Sequence, residues 1–160
     1  MQPDQSHPKP VSPHAARQRW MAVLARAGRS EIMSLLERIP QLPDHSVLRG
    51  PESGLVMVRG RAGGAGAAFN MGELSVTRCT VRDADGRVGH AYVSGRDRAQ
   101  AELAARLDAA LQDANWHARI EASVIAPLAQ AQAALRATAA RKAAATRVQF
   151  FTLATMRSGS

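Results

Sequence analysis

ELSVTRCTVRDADGRVGHAYVSGRDRAQAELAARLDAAL, residues 73–111, is the stretch on which the fold turns. Its opening, ELSVTRCTVRD, is rich in β-branched side chains, the composition of a strand. Asp85-Gly86 follows, a pair suited to the positive φ of a tight turn, and RVGHAYVSG leads back, so the segment predicts an antiparallel hairpin. The apolar face of the outgoing arm moves from Leu74 and Val76 to Cys79 and Val81, and a bulge near Thr77 is expected to make that switch. Beyond the hairpin, Asp97 precedes a long alanine-rich segment in which Leu103, Leu107, Ala110 and Leu111 recur on one helical face. Such a helix is expected to pack on the sheet.

Upstream, QLPDH leads into a short extended stretch, SVLRG, and then into GLVMVRGRA, a compact apolar run of strand length. Leu55 through Val58 are expected to be buried on both faces, completing an antiparallel meander. Nearer the start, Trp20, Val23, Leu24 and Ala27 follow the i, i+3, i+4, i+7 spacing of a helix over about Ala15–Ala27, ended by Gly28. Ser30 is expected to cap a second helix, with Glu31 in its first turn and Ile32, Leu35, Leu36 and Ile39 as its stripe until Pro40. Downstream, a helical segment from about Trp116 to Ala145 is expected to be interrupted or kinked at Pro127 and has no large apolar residue between Arg136 and Thr146. RVQFFTL, residues 147–153, reads as an edge strand, on this chain's sheet or on a partner's. The fold class is α+β: an antiparallel meander with packed helices, an N-terminal helix pair and an extended C-terminal helical segment. Residues 1–13, with Pro3, Pro8, Pro10 and Pro13, are expected to form a disordered tail, and residues 14–160 one domain whose C-terminal extension contacts partners.

Composition sets further bounds. At 160 residues the chain suits one domain with appendages. Aromatics are only 4% and much of the 46% apolar fraction is alanine, so the core will be thin and a partner surface is one place to complete it. One cysteine, Cys79, excludes an internal disulfide and a thiolate zinc site, and it reads as a small hydrophobe in a strand. The leader lacks the apolar region of a signal peptide and no run of about 18 apolar residues occurs, so a cytoplasmic location without a membrane span is expected. The net charge of +8 is uneven, because no Asp or Glu follows Glu121. That balance suits a nucleic acid, a phosphorylated ligand or an acidic protein surface equally well.

Catalytic chemistry is not legible. His7, His14, His45, His90 and His117 show no HxxxH or HExxH spacing, and no GxSxG, Walker-type or Cys/His arrangement occurs. Two anion-binding candidates remain. In RGRAGGAGAAF, Arg59 and Arg61 stand before Gly63, Gly64 and Gly66, whose backbone can form an anion nest; the plainer reading is a strand connection, because a strand rather than a helix follows. In GRDR, Arg96 and Arg98 flank the start of the long helix, where a phosphate is suited; the plainer reading has Asp97 as an ordinary cap.

Taken in order, QRWMAVLARA, ESGLVMVRGRAGGAGAAFNMGELSVTRCTVR, DGRVGHAYVSGRDRAQAELAARLDAAL and TRVQFFT resemble the successive blocks of the PhnG family, the G subunit of the bacterial carbon-phosphorus lyase core complex. No block alone is a strong motif, but their order and spacing from about Arg17 to Thr152 make the resemblance specific. The proline-rich leader and the alanine-heavy stretch before Arg147 are this sequence's own variations.

The resemblance implies a non-catalytic subunit for bacterial use of alkylphosphonates, assembled with H, I and J subunits and depending functionally on an L subunit. It implies ATP and methylphosphonate as substrates of the complex and ribose 1-methylphosphonate 5-triphosphate as product, with nucleosidase chemistry on the I subunit. Later C–P cleavage, with an iron-sulfur cluster and S-adenosylmethionine, is implied for the J subunit, and no cofactor for this chain. A single cysteine agrees with that division, since such a cluster is held by several thiolates. Arg59, Arg61, Arg96 and Arg98 are the residues here suited to a triphosphate. Two other classes stay open: an enzyme subunit lending phosphate-binding residues to a shared active site, and a basic nucleic-acid binder, against which the few aromatics speak.

Overall fold

The computed structural model describes residues 13–61 and 66–145. In chain order these form α1 (Pro13–Leu24), α2 (Arg29–Leu36), β1 (His45–Gly60), β2 (Phe69–Asp83), β3 (Val88–Ser94), α3 (Arg98–Ala110), α4 (Ala114–Ile120), a π-helical turn (Glu121–Ile125) and α5 (Ala126–Ala145). The three strands make one antiparallel sheet in the order β1-β2-β3, the expected α+β meander. The chain divides into a compact unit up to Ala129 and a second from Gln130. The expected tail before Pro13, Gly63 and Gly64, and RVQFFTL lie outside the described residues.

The two stretches read separately as SVLRG and GLVMVRGRA are one strand of 16 residues, kept continuous by two bulges. Leu48 is extra between Val47↔Val81 and Arg49↔Thr80, and Gly50-Pro51 together face Cys79 between Arg49↔Thr80 and Glu52↔Arg78. Pro51 is tolerated because β1 is an edge strand and the proline falls in a bulge, where it costs no ladder hydrogen bond. No bulge occurs at Thr77, which pairs in register with Ser53 on one side and Val93 on the other. Thr77, Cys79, Val81 and Asp83 instead form one continuous buried row, while Leu74 and Val76 belong to the opposite face. Thr77 takes a core position because its hydroxyl is satisfied, meeting Ser53 Oγ at 2.9 Å and donating to the Gly95 carbonyl at 2.8 Å.

Helix α3 covers this row together with Gly89, Ala91 and Val93 of β3. Its alanines let it approach closely. A Cβ built on Gly89 would stand 2.0 Å from the Ala105 carbonyl oxygen and 2.7 Å from the Ala109 nitrogen, so the β3–α3 crossing excludes any side chain at this position. The expected stripe of Leu103, Leu107, Ala110 and Leu111 is buried, joined by Ala101, Ala104, Ala105 and Ala109. Asp108 is also fully buried in this helix. Its carboxylate accepts from Arg17 at 3.1 and 2.7 Å, from the Trp20 indole at 2.9 Å and from the His90 backbone N–H at 2.8 Å, tying α1, β3 and α3 together.

Trp20, Val23, Leu24 and Ala27 are buried as their spacing predicts, as is Ile32 of α2, with Leu35, Leu36 and Ile39 partly buried beside it. Helix α2 starts two residues earlier than expected: the Ile32 N–H donates to the Gly28 carbonyl at 3.1 Å, so Gly28 occupies the cap and Ser30 falls inside the first turn. The Asp85-Gly86 turn forms as read, with Gly86 at φ +88°. The interruption expected at Pro127 takes the form of the π-helical turn just before it. Proline lacks an N–H and clashes with the carbonyl four residues back, here that of Ser123, and the wider turn relieves both while burying Val124, Ile125 and Leu128. In the second unit, residues 130–145 are helical and the side chains from 133 onward are exposed, in keeping with the missing apolar stripe.

Candidate anion-binding cleft

The polar groups that converge most closely on two unpaired cations lie where β1, β2 and the start of α3 meet. Gly95 makes the turn into α3 with φ +89°, a conformation that favours glycine, and its N–H donates to the Ser75 carbonyl at 2.8 Å. Its own carbonyl accepts from Thr77, whose hydroxyl bonds to Ser53, so a short chain of hydrogen bonds fixes the turn to the centre of both long strands. Arg96 and Arg98, on either side of Asp97, line an open cleft with Ser53, Gly54 and Leu55. Both arginines are exposed, and among the described residues neither forms an ion pair.

The start of α3 itself is not the anion receptor. Asp97 accepts from the Gln100 N–H at 2.9 Å, an ordinary N-cap, and its carboxylate already answers the positive end of the helix. What the cleft offers an anion is therefore the two guanidiniums, with the exposed Gly54 backbone opposite them. Thr77 spends its proton on the Gly95 carbonyl, so the Ser53 hydroxyl donates to Thr77 and has none left for an anion. Glu52, the nearest carboxylate along β1, is occupied: Arg78 and Arg49 hydrogen-bond to it and hold it below the usual carboxylate range. Its charge is thus largely answered by other arginines.

Arg59 and Arg61 are exposed at the far end of the β1–β2 hairpin, where Arg59 pairs with Asn70. Arg59 is four residues from Leu55, about 13 Å along a strand. The four arginines singled out in the sequence therefore occupy two separate places. Ser53 falls between the two stretches read as extended, and only its pairing with Thr77 places it, with Gly54, in the middle of a strand beside the two arginines.

Other reactive side chains are committed to the fold. His45 meets Glu102 at 2.9 Å, His90 meets Thr80 at 3.1 Å, and His117 meets the Leu111 carbonyl at 2.8 Å while packing edge-on against Trp20. Cys79 is buried, and burial pushes its thiol up. Arg87 bridges Asp83, Asp85 and Asp113, locking the hairpin turn to the corner before α4. Among the described residues no group of three His, Cys, Asp or Glu side chains is placed to hold a metal, and no helix is long and apolar enough to cross a membrane.

The sequence matches the family of the phosphonate metabolism protein PhnG over residues 15–157. A curated relative, the alpha-D-ribose 1-methylphosphonate 5-triphosphate synthase subunit PhnG of Rhizobium meliloti (strain 1021), is 46% identical over 142 residues, covering 87% of this chain and 88% of the relative. Both likenesses run through the sheet, α3 and the cleft, and the chain belongs to the PhnG family of phosphonate metabolism proteins.

Proposed function

We propose that this chain is a non-catalytic subunit of an alpha-D-ribose 1-methylphosphonate 5-triphosphate synthase complex, working in the cytoplasm in alkylphosphonate catabolism. The observation that carries the proposal is the 46% identity to a subunit of that name across nearly the whole length of both chains. Its partners are H, I and J subunits, with functional dependence on an L subunit, and ATP and methylphosphonate are substrates of the complex rather than of this chain alone. The iron-sulfur cluster and S-adenosylmethionine belong with the J subunit; buried Cys79 offers no set of ligands for a cluster. Within the complex, Arg96 and Arg98 contribute to holding the triphosphate in an active site completed by other subunits. Two guanidiniums beside exposed backbone suit phosphate oxygens, because charge-assisted hydrogen bonds to a polyanion are strong and directional.

Size-exclusion chromatography with mass determination, on this chain alone and with H, I and J, tests the assembly. A discrete multi-subunit species is expected, and a monomer that ignores those partners would refute the proposal. For the cleft, Arg96→Ala with Arg98→Ala in the assembled complex is expected to lower kcat/KM for ATP by roughly 10–100-fold, about 1.5–3 kcal/mol for hydrogen bonds to a charged group, with complex size unchanged. Unchanged turnover would remove the cleft from the active site and leave the subunit role standing.

A further inference from the structure

We infer that the open face of the distal β1–β2 hairpin is a docking strip for an acidic-rimmed apolar surface on a different subunit of the complex, an inference that rests on the subunit role proposed above. The third strand ends early: β2 pairs with β3 only between Val76↔Ser94 and Arg82↔Val88, so residues 69–75 and their partners 55–60 form a two-stranded ribbon. Such ribbons are marginal in water without a covering layer. This one is also apolar. Val56, Val58, Phe69, Met71 and Leu74 are 40%, 39%, 50%, 65% and 45% exposed.

The register places these residues on one side. Val56 stands opposite Leu74, Val58 opposite Gly72 and Gly60 opposite Phe69, so all share the face that continues from Val76. Met71 joins them because it is the extra residue of a bulge between Val58↔Gly72 and Arg59↔Asn70, and its side chain lies over Gly60, where a Cβ would meet the sulfur at 2.1 Å. Toward the base the strip continues through Val76 to Tyr92, itself 58% exposed on the face of β3 turned away from α3. With about half of each side chain in water, the strip exposes on the order of several hundred Å², at the upper end for a monomeric protein and close to one partner's share of a standard interface.

Charge selects the occupant. Arg49, Arg78 and Arg82 share the strip's face at its base with the single carboxylate Glu52, while Arg59 at the far end turns to the opposite face with Glu73. A second copy would bring these arginines together between two chains each carrying +8. A different chain with carboxylates around an apolar centre meets both features, and like charges are what would reject the copy.

Co-expression of the full chain with H, I and J tests this directly. Val56→Ser with Leu74→Ser is expected to lower the amount recovered in the complex at least tenfold, while the thermal unfolding of the chain alone stays where it is. In complexes carrying Met71→Cys, the introduced thiol is expected to react with a maleimide at least tenfold more slowly than in the free chain. Wild-type recovery of the double variant, together with free-chain labelling at position 71, would overturn the inference and leave the subunit role intact. A lone wild-type chain that is a dimer, made monomeric by the double variant, would assign the strip to a second copy and overturn it as well. If the wild-type chain joins no complex at all, the subunit role falls first and this inference with it.

Discussion

The two halves of one hairpin share their strands and differ in almost everything else. In the basal half, Thr77, Cys79 and Val81 are exposed by no more than 2%, although only two of the three are apolar. In the distal half, the four consecutive apolar residues Leu55 to Val58 are exposed by 39–58%. Local hydrophobicity therefore runs opposite to burial. What separates the halves is cover: β3 and α3 stand over the basal rungs, and the third strand ends at Val76↔Ser94. An apolar strand announces that something will cover it, and not that its own chain will.

If the basal half is the self-sufficient one, its polar keystone should be worth more than any contact in the ribbon. Asp108→Ala leaves the Trp20 indole and the His90 N–H without their acceptor inside the core, and releases Arg17. Removing one partner of a buried charged network costs about 3–5 kcal/mol. Denaturant unfolding of the variant is expected to show that loss, or no cooperative transition at all. A loss below about 1 kcal/mol would mean that α1, β3 and α3 hold together without this carboxylate.

Next in size is Gly89→Ala. The new methyl meets backbone atoms of Ala105 and Ala109 rather than a yielding side chain, so α3 itself must move off the sheet. Overpacking of this kind costs about 1–3 kcal/mol, and the upper end is expected here. The ribbon should behave in the opposite way. Leu55→Ser with Met57→Ser, on its other face, is expected to change the unfolding free energy of the chain alone by less than about 0.5 kcal/mol, as at ordinary exposed sites. A larger loss would show that the ribbon is folded into the same cooperative unit as the base.

How much of this was legible follows the same division. Periodicity found what repeats: the α1 stripe through Trp20 and Ala27, the α3 stripe through Leu103 and Leu111, and the turn at Asp85-Gly86. It failed where one contact decides. Thr77 looked like a break in an apolar face because its satisfied hydroxyl is invisible in sequence, and a bulge was expected there to mend a break that does not exist. The real bulges, at Leu48, Gly50-Pro51 and Met71, follow from pairing that only the folded sheet sets. Leu55 to Val58 were read as buried on both faces because composition registers the need for cover and not its source. At the cleft, Arg96 and Arg98 stood out by charge, but Ser53 and Gly54 reach them only through the strand register. Ser30 stands two residues beyond the true cap, Gly28, since helix starts are blurred by one or two residues in any pattern.

The smallest expected effect lies at the boundary between the halves, on Glu52. Arg78 holds its carboxylate at 2.8 Å and Arg49 at 3.4 Å, and these hydrogen bonds lower its pKa. A carboxyl whose folded pKa is depressed adds stability above its unfolded pKa and loses it as the pH falls through the folded value. The contribution is therefore present at neutral pH and disappears in acid, below the ordinary carboxylate range. Because the pair is exposed, it is also weak and screened by salt. Urea midpoints of the wild type and Glu52→Gln are thus expected to differ slightly at pH ~7 in low salt and to coincide near pH ~2, or at neutral pH in about 1 M salt. A difference that persisted in acid would come from packing rather than charge. It would extend the ordered base one rung further along the hairpin, toward Gly54, and shorten the ribbon left for a partner to cover.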